Sequence, residues 1–275
     1  MTTQDKAKID DLKKTAKQIR IDILKMLTQA GSGHTGGSLS CVEIILSLYA
    51  CVLRHDPKNP KWNDRDRFVL SKGHGCPTLY AVLAHFGYFP KQELATLRKC
   101  GSCLQGHPQY GLPGLEASTG SLGMGLSIAN GMALAARLDN KKEVRIYCLM
   151  GDGETNEGQV WEAAMTASHY KLDNLCAIID FNKLQIDGFL RDVVNIEPIK
   201  EKWCAFGWDV LEIDGHNIGQ LLDAYDKAKT IKQKPCIILA HTIKGKGVSF
   251  IENRAEWHGI APKPEQLERA LKELQ

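Results

Sequence analysis

Long apolar runs are missing from this chain: none approaches the roughly 20 residues needed to cross a bilayer. The amino terminus, MTTQDKAKIDDLKK, is polar and lacks the apolar core of a secretory signal. An excess of one charge is also absent, with 35 Lys and Arg against 32 Asp and Glu. The resulting net charge of +3 leaves no stripe for nucleic acid and no polybasic patch for a membrane surface. The nine cysteines are odd in number and scattered through apolar segments, which argues against a disulfide framework and for a reducing cytoplasm. No repeat, low-complexity tract or linker interrupts the sequence, so residues 1–275 read as a single domain. At 43% hydrophobic, that domain can bury a large core.

What the chain does have is a well-marked βαβ unit between Val144 and Gly188. VRIYCLM is an apolar run of strand length, and Gly151-Asp152-Gly153 breaks it with glycines that let backbone approach a ligand. A helix is expected from about Glu157, with Val160, Trp161, Ala164, Met165 and Ala167 at helical spacing and Glu154 and Glu157 at the positive end of its dipole. NLCAIID (Asn174 to Asp180) is the second strand, with Asn182 just beyond it. A right-handed crossover makes the strands parallel, so Asp152 and Asn182 emerge at the same edge, where open α/β sheets bind ligands. One carboxylate, one amide oxygen and the Leu184 carbonyl form an oxygen set able to hold Mg²⁺ and leave room for phosphate oxygens. The glycines and the helix start add N–H groups for the same anion. The plainer alternative is an ordinary glycine turn with helix-capping acids.

Elsewhere the pattern alternates between helices and strands. An amphipathic helix over 5–30 carries the stripe Ile9, Leu12, Ala16, Ile19, Ile23, Met26, Leu27 and Ala30, and a glycine-rich loop, Ser32 to Gly37, follows. Val42 to Val52 reads as a buried helix, and Phe68 to Ser71 as a short strand leading to Lys72-Gly73-His74-Gly75 and a helix from Pro77 to Phe86. After a glycine-rich passage over 101–125, Leu126 to Arg137 is a helix of small residues. Helices near 199–206 and 218–232, strands at 208–213 and 236–240, and a short terminal helix complete the chain. This order indicates an α/β fold: a doubly wound, mostly parallel sheet with helices on both faces.

Four histidines, His34, His74, His107 and His258, each sit beside glycine, a setting that points to a shared site in loops at the strand ends. His55, His85, His169, His216 and His241 lack that setting and are read as structural. Cys100 and Cys103 with His107 look like half of a zinc site, but no second ligand pair accompanies them.

Taken together, SGHTGG, DRFVLSKGHG, GHP, STGSLGMGLSIANGMALAAR, GDGETNEG, DFNKLQIDG and EWHG resemble the first domain of transketolases, in the family's order, from about residue 10 to residue 262. Two departures are local: Thr35 stands where the family commonly has Pro, and Asn182-Lys183 where many relatives have two Asn. The resemblance implies thiamine diphosphate held through Mg²⁺, or Ca²⁺ or Mn²⁺ in its place. It assigns the metal to Asp152, Asn182 and the Leu184 carbonyl, and the diphosphate to His74, Gly153 and Asn182. Gly120, Ser121 and Leu122 would lie beside the aminopyrimidine, Ile186 against the thiazolium, and Lys244 on the cofactor. His34, His107 and His258 would face the sugar and the reacting carbon, with His258 also near the diphosphate. Glu157 matches an acid linking two cofactor sites, and otherwise reads as a helix-start acid.

Family members continue into a pyrimidine-binding domain, which carries the catalytic glutamate, and a further C-terminal domain. Neither is found in these residues. The expectation is therefore the diphosphate-binding subunit of a split transketolase, moving a two-carbon ketol group between sugars or sugar phosphates. It would act with a separate C-terminal subunit in a complex with two copies of each. Competing readings are a subunit of another thiamine enzyme (deoxyxylulose-phosphate synthase-like, or a 2-oxo acid dehydrogenase component) and a non-catalytic cofactor-binding module or fragment. The set His34, His107 and His258 argues against the first, and the intact ligand set against the second.

Overall fold

The computed structural model describes residues 3–275. Its helices are α1 (Thr3–Ala30), α2 (Thr35–Ser40), α3 (Val42–Cys51), α4 (Cys76–His85), α5 (Met124–Leu138), α6 (Gly158–His169), α7 (Leu190–Val193), α8 (Ile199–Ala205), α9 (Ile218–Thr230) and α10 (Pro264–Glu273). Five strands, β1 (Arg67–Leu70), β2 (Ile146–Gly151), β3 (Leu175–Phe181), β4 (Asp209–Asp214) and β5 (Cys236–His241), form one sheet in the order β1-β2-β3-β5-β4. Each strand pairing is parallel. Parallel neighbours require crossovers, and the helices that make them cover both faces.

The central strands β2 and β3 are buried along their whole length, as their uninterrupted apolar runs require. Their side chains alternate between two cores. Tyr147, Leu149, Ile178 and Ile238 join α1, α3, α4 and α9; Ile146, Cys148, Met150, Ile179 and Leu239 join α5, α6 and α8. The small face of α5 is needed for contact: at Gly125 a Cβ would fall 2.3 Å from Ser71 Oγ. The stripe of α1 from Ile9 to Leu27 is buried as read, and Gly31, at φ +64°, ends the helix.

Some local expectations change. The loop Ser32 to Gly37 turns helical at Thr35, where α2 begins. In α6 the buried face is Val160, Ala163, Ala164 and Ala167, whereas Met165 points outward and is 55% exposed. The turn after β2 is a 3-10 segment, Gly153–Asn156, so α6 starts one residue after Glu157.

Candidate active site

Because the strands run one way, the segments leaving β1, β2, β3 and β5 gather at one edge. There they line a cleft of about 410 Å³ with Lys72 and His74, Asp152 to Glu154, Asn182, Leu184 to Ile186, and Lys244. His34 at the start of α2, His107 from the glycine-rich loop and His258 near the carboxyl end complete the walls.

The four glycine-flanked histidines stand together, although they come from four separate stretches of the sequence. His34 has His74, His107 and His258 at ring-centroid distances of 5.3, 6.1 and 5.5 Å, and His74 lies 5.2 Å from His258. Burial, then the Arg98 charge, lowers His34 to about 4; burial, then Lys244, lowers His258 to about 3. His74 is pushed well below its ordinary value by burial and Lys72, and His107 is lowered by burial and Arg98. All four are therefore neutral at pH 7, each with one ring donor and one acceptor. The remaining histidines are occupied elsewhere or exposed: His55 meets Tyr88, His216 meets Glu43, His241 meets Glu212, and His85 and His169 face solvent.

The cation clamp starts from Asp152, which is 2% exposed. Its Oδ1 accepts from Gly153 N at 2.8 Å and its Oδ2 from Lys183 N, so both oxygens are fixed. Burial and then the neighbouring Asp180 charge raise this carboxyl to about 7. Asn182 Oδ1 accepts from Leu184 N at 3.1 Å, and the Leu184 carbonyl accepts from Lys244 Nζ at 3.1 Å. That carbonyl already serves a cation. A buried carboxylate with two neutral oxygens beside it fits a divalent metal of the Mg²⁺ or Ca²⁺ type. Two buried polar atoms of cleft-lining residues, His34 Nδ1 and Gln185 Nε2, have no hydrogen-bond partner, as expected of groups shaped for a polar ligand.

Gly120, at φ +153°, holds a backbone conformation that L side chains rarely adopt, and a Cβ there would lie 3.3 Å from the His107 ring. Gly153 brings backbone against Gln185, with a virtual Cβ 3.3 Å from its Cβ. Ser121, Leu122 and Ile186 stand at the rim, Ile186 being 67% exposed. Lys244 is buried, not solvated, and burial lowers its ammonium to about 8. Glu157 is exposed and makes no capping hydrogen bond to α6, so it is not a capping acid. Nor is Glu154: its buried carboxylate accepts from Gly123 N at 2.8 Å, Gly151 N at 3.0 Å and Ser71 Oγ, locking the GDG turn to the Gly120 loop.

Sequence reasoning missed the floor of the cleft. Lys72 and Asp180 form a fully buried ion pair; Lys72 Nζ also donates to Gly37 O at 2.8 Å. Asp180 further accepts from Ser40 Oγ at 2.6 Å and from Thr242 Oγ1. Burial alone would depress the Lys72 ammonium, but the charge and hydrogen bond of Asp180, with the nearby Cys41 and Asp152, together more than reverse this; the Asp180 carboxyl is correspondingly lowered against its own burial. The available signal was a charge inside buried segments, Asp in NLCAIID and Lys beside KGHG. Thr35, in place of the usual Pro, is buried and donates to the Ile260 carbonyl at 2.6 Å, joining the His34 and His258 loops. Cys100 and Cys103 are exposed free thiols, and no cluster of three His, Cys, Asp or Glu able to hold a metal occurs among the described residues. The clamp, with a single acid, lies outside that class of site.

A parallel sheet with an oxygen clamp, glycine turns and neutral histidines at its carboxyl edge is the framework of a diphosphate-cofactor domain. Residues 12–274 match the family model described as transketolase, thiamine diphosphate binding domain. The chain is 47% identical over 266 residues to a 6-deoxy-6-sulfo-D-fructose transketolase subunit of Clostridium sp. (strain MSTE9), covering 96% of each chain. It is 47% identical over 268 residues to an apulose-4-phosphate transketolase subunit of Actinobacillus succinogenes, again covering 96% of each. Among solved structures, a transketolase mutant of Pichia stipitis superposes with a TM-score of 0.91 at 31% identity, over 96% of this chain and 40% of that one. The chain belongs to the transketolase family, as a thiamine diphosphate-binding transketolase subunit.

Proposed function

We propose that the chain is the diphosphate- and Mg²⁺-binding subunit of a two-subunit transketolase that moves a two-carbon ketol group from a ketose, or its phosphate, to an aldose. The observation that carries this is the meeting of two devices in one cleft: an oxygen clamp around Asp152 and a ring of four neutral histidines. Thiamine diphosphate, when bound, supplies the carbon nucleophile for a ketose carbonyl and accepts the electron pair released when the adjacent C–C bond opens.

The chain's own residues bind, orient and move protons. Asp152, Asn182 and the Leu184 carbonyl would hold the metal, and His74, Gly153 and Asn182 the diphosphate. Gly120, Ser121 and Leu122 would flank the aminopyrimidine, Ile186 the thiazolium, and Glu157, free at the rim, would link two cofactor sites. His34, His107 and His258 would take and return protons at sugar hydroxyls, a role suited to neutral imidazole at physiological pH. The Lys72–Asp180 pair beneath them keeps the floor rigid and closed to water.

A single diphosphate-binding domain of this kind leaves the pyrimidine end of the cofactor to a partner. Exposed apolar side chains at the cleft, Leu122, Ile186, Val193 and Val194, suit a partner subunit that carries the pyrimidine-binding domain and the catalytic glutamate, with two copies of each chain. The free thiols suit the cytoplasm, and no helix among the described residues is long and apolar enough to cross a membrane. The test is reconstitution. Purified chain with thiamine diphosphate, Mg²⁺, a ketose phosphate and an aldose should show no ketol transfer; adding the separately expressed partner should restore it. Robust turnover by this chain alone would sink the two-subunit reading.

A further inference from the structure

Arg98 lies outside the cleft lining yet packs against two of its walls. Its guanidinium fills the space beside Gly106, where a Cβ would fall 2.7 Å from Nη2 and 2.8 Å from Cζ and Nε. At Gly33 a Cβ would first meet Leu27 Cδ2, at 2.3 Å, with Arg98 Nε beyond it at 4.0 Å, and Nη1 donates to Ser32 Oγ at 3.4 Å. Gly33 and Gly106 are the residues immediately before His34 and His107, whose ring centroids are 6.1 Å apart. Among the described residues Arg98 forms no salt bridge, so its charge stands unbalanced behind the two imidazoles.

The backbone that carries this side chain is held firmly. Arg98 sits at φ +60°, a conformation that a residue with a Cβ keeps only when its surroundings impose it. Its N–H donates to Leu104 O at 2.8 Å, and Thr96 Oγ1 meets Ser102 Oγ at 2.7 Å across the same loop. Leu97 and Leu104, one at each end, are buried in the core. The loop is thus a rigid mount for one long cation.

We propose that Arg98 is a positioning residue shared by His34 and His107: its guanidinium packs against Gly106 on one side, reaches Ser32 and Gly33 on the other, and fixes how far apart the two rings stand. The arrangement also acts through charge. His34 is faced by Arg98, His107, Lys244 and Lys72, with His74 and His258 against its ring; His107 is faced by Arg98 and His34. After burial, Arg98 is the strongest influence on both, in the direction that keeps imidazole neutral. This rests on the reading of His34 and His107 as sugar-facing groups, but its test needs no turnover.

The experiment is histidine-ring NMR titration of the whole chain, with lines assigned through His34→Gln and His107→Gln. Arg98→Met should shift the His34 and His107 midpoints upward, while Arg98→Lys, which keeps the charge, should shift them less. Gly106→Ala disturbs the same packing by another route, since its methyl group pushes the guanidinium aside, and the same two midpoints should rise, by less than in Arg98→Met. Thiamine diphosphate affinity measured by calorimetry should stay at the parent value, which separates a local effect from collapse of the cleft. Midpoints that superimpose on the parent in folded Arg98→Met would overturn the proposal. If that variant does not fold, unchanged midpoints in Gly106→Ala would overturn it. Full turnover in His34→Ala would instead strike at the catalytic reading and leave these titrations as they are.

Discussion

Lys244 Nζ lies 2.7 Å from His258 Nδ1, and that contact fixes which nitrogen of His258 carries the proton. A charged ammonium has donors only, so Nδ1 accepts and Nε2 bears the hydrogen. Lys244→Met should release this constraint and let His258 sample both tautomers. It should also raise the His258 midpoint, because the Lys244 charge is the largest influence on it after burial. Burial persists, so the value should remain below that of an ordinary histidine. Ring nitrogen shifts in the two proteins would report both changes; identical spectra would remove Lys244 from this role.

Asp152→Ala should abolish Mg²⁺-dependent binding of thiamine diphosphate and leave the fold intact. The acid is the only charged oxygen in the clamp, so the loss should exceed the roughly 10–100-fold typical of outer-shell partners. Asn182→Ala, which removes a neutral ligand, should lose less. Calorimetry that finds unchanged affinity in Asp152→Ala would dismiss the clamp.

For the histidines, turnover and affinity should separate. His34→Ala and His258→Ala should reduce kcat of the reconstituted enzyme by about 10²–10⁴-fold, the usual worth of a positioned proton-transfer group. Cofactor affinity should change far less. A variant that turns over at the parent rate would exclude its histidine from the reaction.

Away from the cleft, Glu43 holds Arg20 through contacts of 2.6 and 2.8 Å and meets His216 Nδ1 at 3.0 Å. Burial alone would raise this carboxyl, but the Arg20 charge and the hydrogen bonds from His216 and Arg20 together outweigh burial and lower it to about 2. A folded value below the unfolded one stabilises the fold above the ordinary glutamate range, and the contribution is lost as pH falls through about 2. Glu43→Gln leaves Arg20 buried without a countercharge and should cost about 3–5 kcal/mol at pH 7. Denaturant midpoints of parent and variant should converge as the solution is acidified. A gap that does not vary with pH would show that the charge of Glu43 is not what stabilises.

The fold and one half of the site were legible because they are written locally. Apolar runs of strand length gave β2 and β3; the Gly151-Asp152-Gly153 break announced the turn that carries Asp152, and Asn182 stands just beyond the second run. Glycine beside histidine singled out the four rings that the structure places within 6.1 Å of His34 or of one another. Lys72 and Asp180 were not legible as a pair, since nothing in either local sequence names a partner 108 positions away. Glu154 was misread for the opposite reason. It stands where dipole arguments expect a capping acid, yet its carboxylate is drawn inward by Ser71 and Gly123 from distant loops.

The strand order also dictates an assembly sequence. A sheet without hairpins cannot zip from a tight turn, and parallel pairing waits on the closure of longer loops. Two neighbouring pairs join consecutive strands through a single helical crossover, β2-α6-β3 and β4-α9-β5, and they meet at the β3–β5 seam. Asp152 and Asn182 lie within or just beyond the first of these, so the metal-binding half of the cleft belongs to a short stretch able to form early. The histidine ring draws on α2, the turn after β1, the His107 loop and the carboxyl-terminal loop, and exists only once these dock. In refolding followed by pulsed hydrogen exchange, amides of β2 and β3 should gain protection before those around His34 and His258. The chain would then acquire its grip on the cation before it acquires its proton-transfer groups.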